Sequence, residues 1–229
     1  MEIKNLSYLL SLLIYLIIPV TLSFQKKVQF VFRLKYVLPA VIFAGTIFIL
    51  WDIRFTETGI WSFNPDYLTG IEILRLPVEE WLSFVIIPLS SVYIYEWLKI
   101  RFEEFEKPNL FLAVSLISLL TAIVCAYVFR ARMFTFFTFF LLAIYLGYTI
   151  FRNRFKKYYT KFYLTLIISL VPFLIVSALL NSMPAIVYNS EHVIGVSFFG
   201  VPVEKTGYLF LILLINVTIY EYLNNRRHY

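Results

Sequence analysis

Two carboxylates stand side by side in an otherwise apolar chain: Glu79 and Glu80 close the segment NPDYLTGIEILRLPVEE, residues 64–80. Neighbouring like charges favour protonation of one of them, which is the condition for a carboxylic acid that donates and a carboxylate that accepts a proton. The frame around them recurs. Asn64, Gly70, Pro77 and Glu79 are matched by Asn189, Gly195, Pro202 and Glu204 at a constant offset of 125, and Tyr95-Glu96 by Tyr220-Glu221. Glu204 is therefore the second-half counterpart of Glu79. An acidic residue in the first turn of a helix is also a common structural feature, because the helix dipole favours it there. The recurrence of the loop together with Pro-x-Glu goes beyond what simple capping requires, and carboxylates at a membrane boundary are functional candidates.

Asp52, beside Trp51, is a further acidic candidate; its plain alternative is a partner for Arg54. Its counterpart in the repeat is Ser177, and Asn181 is the nearest polar substitute in the second half. Trp51, Trp61, Phe63, Tyr67, Tyr188 and Tyr208 flank the two loops. Such rings belong to interfacial belts, and near an acid they also stabilise a carbocation by cation–π attraction. With Asn64, Asn189 and Asn181 they are the expected substrate-binding set. Glu96 and Glu221 lie 17 residues beyond Glu79 and Glu204, about 25 Å along a helix. They are expected to anchor the opposite interface near Lys99 and Arg226. Asn216 is expected to bond between helices.

The residue types exclude much else. A single cysteine, Cys125, and two histidines, His192 and His228, leave no Cys or His cluster for a metal. GxGxxG, a P-loop, an Asp-rich diphosphate motif and GxSxG are all missing from the sequence. The chemistry expected is metal-free, cofactor-free acid–base work on an apolar substrate.

The elements that must hold these groups are membrane helices. Hydrophobic residues make up 61% of the 229 positions and the mean hydropathy is +0.81, more apolar surface than one soluble core hides. Seven apolar segments are expected at about 6–24, 34–51, 80–98, 110–129, 133–151, 162–180 and 206–223, each near the roughly 20 residues needed to cross the hydrocarbon core. Alternating strands of the β-barrel kind are not seen in the sequence. The first segment lacks a basic leader and reads as a retained helix.

Basic residues set the orientation. The connections at 26–35, 99–107 and 152–161 and the tail Arg226-Arg227 hold 14 of the 20 Lys and Arg. By the positive-inside rule these are cytoplasmic, the N-terminus is outside, and both Asn-to-Glu loops open outward. The charge of +6 therefore reads as membrane orientation rather than nucleic-acid binding. The expected architecture is an all-α membrane protein of about seven transmembrane helices. Residues 1–100 form one three-helix repeat, 101–130 a connector helix and 131–229 a second repeat, parallel to the first about a pseudo-twofold along the membrane normal.

Residues 48–96, from Phe48-Ile49-Leu50-Trp51-Asp52 through the Pro77-Val78-Glu79-Glu80 motif to Tyr95-Glu96, resemble the flavin-independent membrane lycopene cyclases. Residues 181–221 resemble the second block of that family. The family motif is Pro-x-Glu followed by Glu or Asp in each half, and here Lys205 stands at the second acidic position. The resemblance implies proton-initiated closure of the linear end of lycopene to a β-ionone ring, an isomerisation without net redox change. It implies Glu79, Glu80 and Glu204 as acid–base residues, with Asp52 and Asn181 as orienting groups. The implied partners are a lipophilic carotenoid or other isoprenoid and membrane lipid, with a homo-oligomer or a complex of carotenoid enzymes left open. The implied location is a bacterial cell membrane. A cyclase of another membrane isoprenoid, a transporter and a non-catalytic membrane subunit are the competing readings.

Overall fold

The computed structural model describes residues 3–23 and 30–225. The basic residues Lys26, Lys27, Arg226 and Arg227, used above for orientation, lie outside the described residues. Seven α-helices form the body: α1 (Ser7–Ser23), α2 (Leu34–Glu57), α3 (Val78–Arg101), α4 (Pro108–Val128), α5 (Met133–Phe151), α6 (Tyr159–Ser182) and α7 (Val203–Asn225). The last six are long and apolar enough to cross a membrane, and α1, with 17 residues, is at the lower limit. This is an all-α, multi-pass membrane fold.

Helix boundaries follow the apolar runs except where a polar turn continues the spiral. α2 runs past Trp51 to Glu57 because its final turn is amphipathic: Asp52 and Phe55 are buried while Arg54 and Glu57 pair on the exposed side at 3.2 Å. Pro77 is the N-cap of α3, with an extended backbone. Six short strands, not foreseen as elements, build the loops between α2 and α3 and between α6 and α7. They are β1 (Trp61–Phe63), β2 (Glu72–Ile73), β3 (Leu76–Pro77), β4 (Ile186–Tyr188), β5 (Ser197–Phe198) and β6 (Val201–Pro202).

The offset of 125 is carried into three dimensions. It maps β1 onto β4, β2 onto β5, β3 onto β6 and α2 onto α6 residue for residue. β1 and β4 pair antiparallel with Ser62 opposite Val187, its own repeat counterpart, so the ladder is centred on the pseudo-axis. Two flanking hydrogen bonds are exchanged by the same operation: Asn64 N–H donates to the Ala185 carbonyl at 3.0 Å, and Asn189 N–H to that of Ile60 at 2.9 Å. The repeats are thus parallel and related by a twofold.

Packing is partly within repeats and partly across them. α1 lies on α3 as α5 lies on α7, but α2 packs on α7 and α6 on α3. The crossed packing is what brings side chains from different halves together. At the opposite end of α3 and α7, Lys99 bridges Glu96 and Glu221 at 3.0 and 2.6 Å, Arg33 pairs with Glu96 at 2.7 Å, and Tyr95 donates to Glu221 at 2.9 Å. Glu96 and Glu221 therefore tie the two repeats at the axis. Asn216 bonds within α7, to the Ile212 carbonyl, rather than between helices.

Candidate active site

The β2–β3 and β5–β6 hairpins set the entrances of α3 and α7. Both turns place two residues at positive φ, Leu74-Arg75 and Phe199-Gly200, the hand that a two-residue hairpin requires. Asn64 and Asn189 brace the preceding loops alike, accepting from the backbone of Asp66 and Glu191 at 3.1 and 3.0 Å. Glu79 and Glu204 do the same at the next level. The Glu79 carboxylate accepts from Thr69 N–H at 2.7 Å, and that of Glu204 from Ile194 N–H at 2.6 Å. Glu204 also accepts from the Thr135 hydroxyl of α5 at 2.5 Å; the matching residue of α1, Leu10, has nothing to donate. Both glutamates are fully buried.

The next residue turns in another direction. Glu80 accepts a hydrogen bond from the Tyr8 hydroxyl of α1, and Asp52 of α2 accepts one from the Tyr208 hydroxyl of α7. Asp52 and Glu80 lie within electrostatic reach of each other, and Asp52 Oδ2 is buried without a hydrogen-bond partner. Asp52 is thus set by α7 and by Glu80, while Arg54 goes to Glu57. Lys205 stands at the repeat position of Glu80. Its ammonium lies 4.7 Å from the Trp61 ring, 5.5 Å from Tyr208 and 5.7 Å from Tyr188, and it acts on Glu80 and Asp52 through space. Burial pushes the Tyr188 hydroxyl up, and the Lys205 charge opposes that.

Several of these groups, though not Asp52 or Trp61, line a cavity of about 60 Å³ between α1, α3, α6 and α7. Glu80, Lys205, Tyr8, Tyr188 and Tyr208 are at its polar end, with Ser177 and Asn181 on the α6 wall; Leu12, Phe84, Ile87, Phe173 and Ile212 make the apolar remainder. Asn181 packs over Gly200, where an added Cβ would come within 2.3 Å of its amide nitrogen. The volume related by the twofold is filled by aromatic rings: Trp51 and Phe137 at 5.0 Å, Phe55 and Trp61 at 5.1 Å, and Trp61 and Phe134 at 5.2 Å.

Of the residues singled out in the sequence, the fold gathers Asp52, Glu80, Trp61, Tyr188, Tyr208 and Asn181 around one place. Glu79 and Glu204 hold the loops; like Asp52 and Trp61 they do not line the cavity itself. Trp51 joins the filled side, Phe63 packs on the core, and Tyr67 lies under Lys4 at 4.7 Å. Asn64 and Asn189 shape the loops. Of the cavity's four tyrosines, two were not singled out, Tyr8 and Tyr15 of α1. Nothing local in an apolar first helix marks either tyrosine; only the packing of α1 against α3 does.

A parallel two-repeat membrane bundle with a buried carboxyl pair beside an apolar cavity is a fold suited to proton chemistry on a lipophilic molecule. The family model for lycopene cyclase matches residues 5–98 and 131–223, and the chain belongs to that family. Membership makes it a carotenoid cyclase in the general sense, an enzyme acting on a lipophilic carotenoid in the membrane. No match to the chain was found among curated proteins or among solved structures.

Proposed function

We propose that the chain closes the linear end group of an acyclic carotenoid such as lycopene to a β-ionone ring, with the Asp52–Glu80 pair as the acid–base centre. The observation that carries this reading is the carboxyl pair itself, both members from the first repeat, each held by a tyrosine (one from each repeat), with Glu80 at the polar end of an apolar cavity. An alkene is a very weak base, so its protonation needs a carboxylic acid held away from water and hydrogen-bonded to a second carboxyl.

One carboxyl gives its proton to the terminal carbon–carbon double bond, forming a C–H bond and a tertiary cation. A neighbouring double bond attacks that cation, forming the ring C–C bond and moving the charge into the ring. A carboxylate then removes a ring proton, and the electrons of that C–H bond become the ring double bond. One proton enters and one leaves, so the carboxyl pair is restored. The rings of Tyr208 and Phe84 offer π-faces to the intermediate charge. Glu79 and Glu204 enter the proposal as the residues that fix the loops over the site. In this reading residues 1–100 and 131–229 are the two repeats, 101–130 is the connector, and the loops face outward with the C-terminus cytoplasmic.

The test is expression in a bacterial host that accumulates lycopene. The expected outcome is conversion to mono- or bicyclic carotenes by the unmodified chain and retention of linear pigment with Glu80→Gln. A well-expressed unmodified chain that leaves lycopene linear defeats the proposal.

A further inference from the structure

Lys205 stands at the repeat position of Glu80, and the structure gives it surroundings of an unusual kind. It is 8% exposed, its ammonium is enclosed by Trp61, Tyr188 and Tyr208, and its charge acts on the buried Asp52 and Glu80. Aromatic rings rather than a carboxylate lie against it. The carboxyl pair is served on its other sides by neutral donors, Tyr8 on Glu80 and Tyr208 on Asp52. The charged or titratable side chains at this place are Asp52, Glu80, Lys205, Tyr8, Tyr15, Tyr188 and Tyr208, while the buried Glu79 and Glu204 turn away to the N–H groups of their own loops.

Charge counting in a dry site then has few solutions. With Lys205 positive and both carboxyls ionised, the cluster carries one uncompensated negative charge. With one proton on the pair it is neutral, and with two it carries the uncompensated charge of Lys205. Uncompensated charge away from water is costly, so the neutral arrangement wins. One proton on two carboxyls is also what the proposed reaction needs, an acid and a base at once.

We propose that Lys205 is a tethered counter-cation that fixes the number of protons on the Asp52–Glu80 pair at one. It is a positioning residue: it touches neither the pair nor the reacting atoms, and it acts through charge. This rests on the reading of the pair as the acid–base centre. Without the cation, the neutral arrangement of the pair carries two protons, which leaves an acid and no base.

Infrared spectroscopy of the purified full chain reads this without any substrate, through the C=O stretch of protonated carboxyls. The share belonging to the pair is the band lost on changing Asp52→Asn and Glu80→Gln together. At neutral pH this share is expected to equal one carboxyl in the unmodified chain and in Lys205→Arg. In Lys205→Met it is expected to grow about twofold, measured against Lys205→Met carrying the same two changes. Lys205→Gln gives the same comparison should the Met variant not fold. A share of zero or two in the unmodified chain overturns the proposal with no substitution at position 205. An unchanged share in Lys205→Met or Lys205→Gln overturns it as well. Pigment conversion by the same proteins keeps the two readings apart. Ring closure by Lys205→Arg with about a 100-fold lower kcat and unchanged KM for Lys205→Met supports the charge role. The expected spectra from a chain that makes no rings sustain the proton count and remove the cyclase reading alone.

Discussion

The N-terminal ends of α3 and α7 begin as near copies and diverge one residue later. Up to Glu79 and Glu204 the halves share a braced loop, a hairpin and a carboxylate that accepts a backbone N–H. At the next position one half has Glu80 and the other Lys205. Around them Tyr8 stands against Met133, Ser83 against Tyr208 and Asp52 against Ser177. One side of the twofold keeps a cavity, and the other is packed with Phe134, Phe137, Trp51 and Phe55. The shared carboxylates satisfy backbone groups that every such loop leaves unpaired, so they are part of a frame. The divergent positions converge across the crossed packing of α2 on α7 and, under the proposed function, make the site. Under that reading the repeated motif marks the frame, and the positions that differ mark the chemistry.

The largest effect that separates the two kinds of carboxylate is at position 80. Glu80→Gln is expected to lower ring formation by about 100-fold or more, the usual scale for loss of a general acid. Pigment analysis in the lycopene-accumulating host reads it. Glu79→Gln keeps an acceptor for Thr69 N–H and is expected to lose only about threefold. If instead Glu79→Gln silences the enzyme as fully as Glu80→Gln, the division into frame and site fails.

A smaller effect distinguishes the cavity side from the filled side. Gly200→Ala drives the new Cβ against Asn181 at a residue with φ of 78°, displacing an amide from the cavity wall. Activity is expected to fall about tenfold, through strain and a misplaced wall. Gly59→Ala has the same backbone hand at 71° and no atom within 4 Å of the new Cβ. It is expected to cost stability by about 1 kcal/mol, with activity per folded molecule kept. Equal losses of activity from the two substitutions break the link between Asn181 and the site.

The smallest effect concerns the frame. Asn64→Ala and Asn189→Ala each remove a side-chain acceptor from a loop N–H and are expected to destabilise by about 1 kcal/mol each. Thermal unfolding in detergent measures it. Similar shifts from the two halves sharpen the comparison; a large loss from one alone means that the loops are not equivalent.

The seven helices, the duplication and the candidate acids were legible in the sequence because each depends on local pattern. Apolar runs of membrane length fold as helices wherever they occur, since lipid leaves the backbone no other partner. A gapless offset of 125 survives because the hairpins and caps constrain Gly70, Pro77 and Asn64 through their own backbone. Even the family resemblance rests on contiguous motifs. The choice among acids was not legible. Glu79, Glu80 and Glu204 look alike in the sequence, but about 100° of helical rotation separates each residue from the next. That rotation turns Glu79 toward its loop and Glu80 toward Tyr8 and Asp52. Tyr8 and Tyr208 become site residues only because α1 lies on α3 and α2 crosses to α7. Lys205 reads as a defect in a motif until the fold places its ammonium among three rings beside the carboxyl pair. Local propensity decided where the helices and loops are. Tertiary packing decided which charges meet, because contacts between side chains 72 and 156 positions apart leave no trace in the spacing of either.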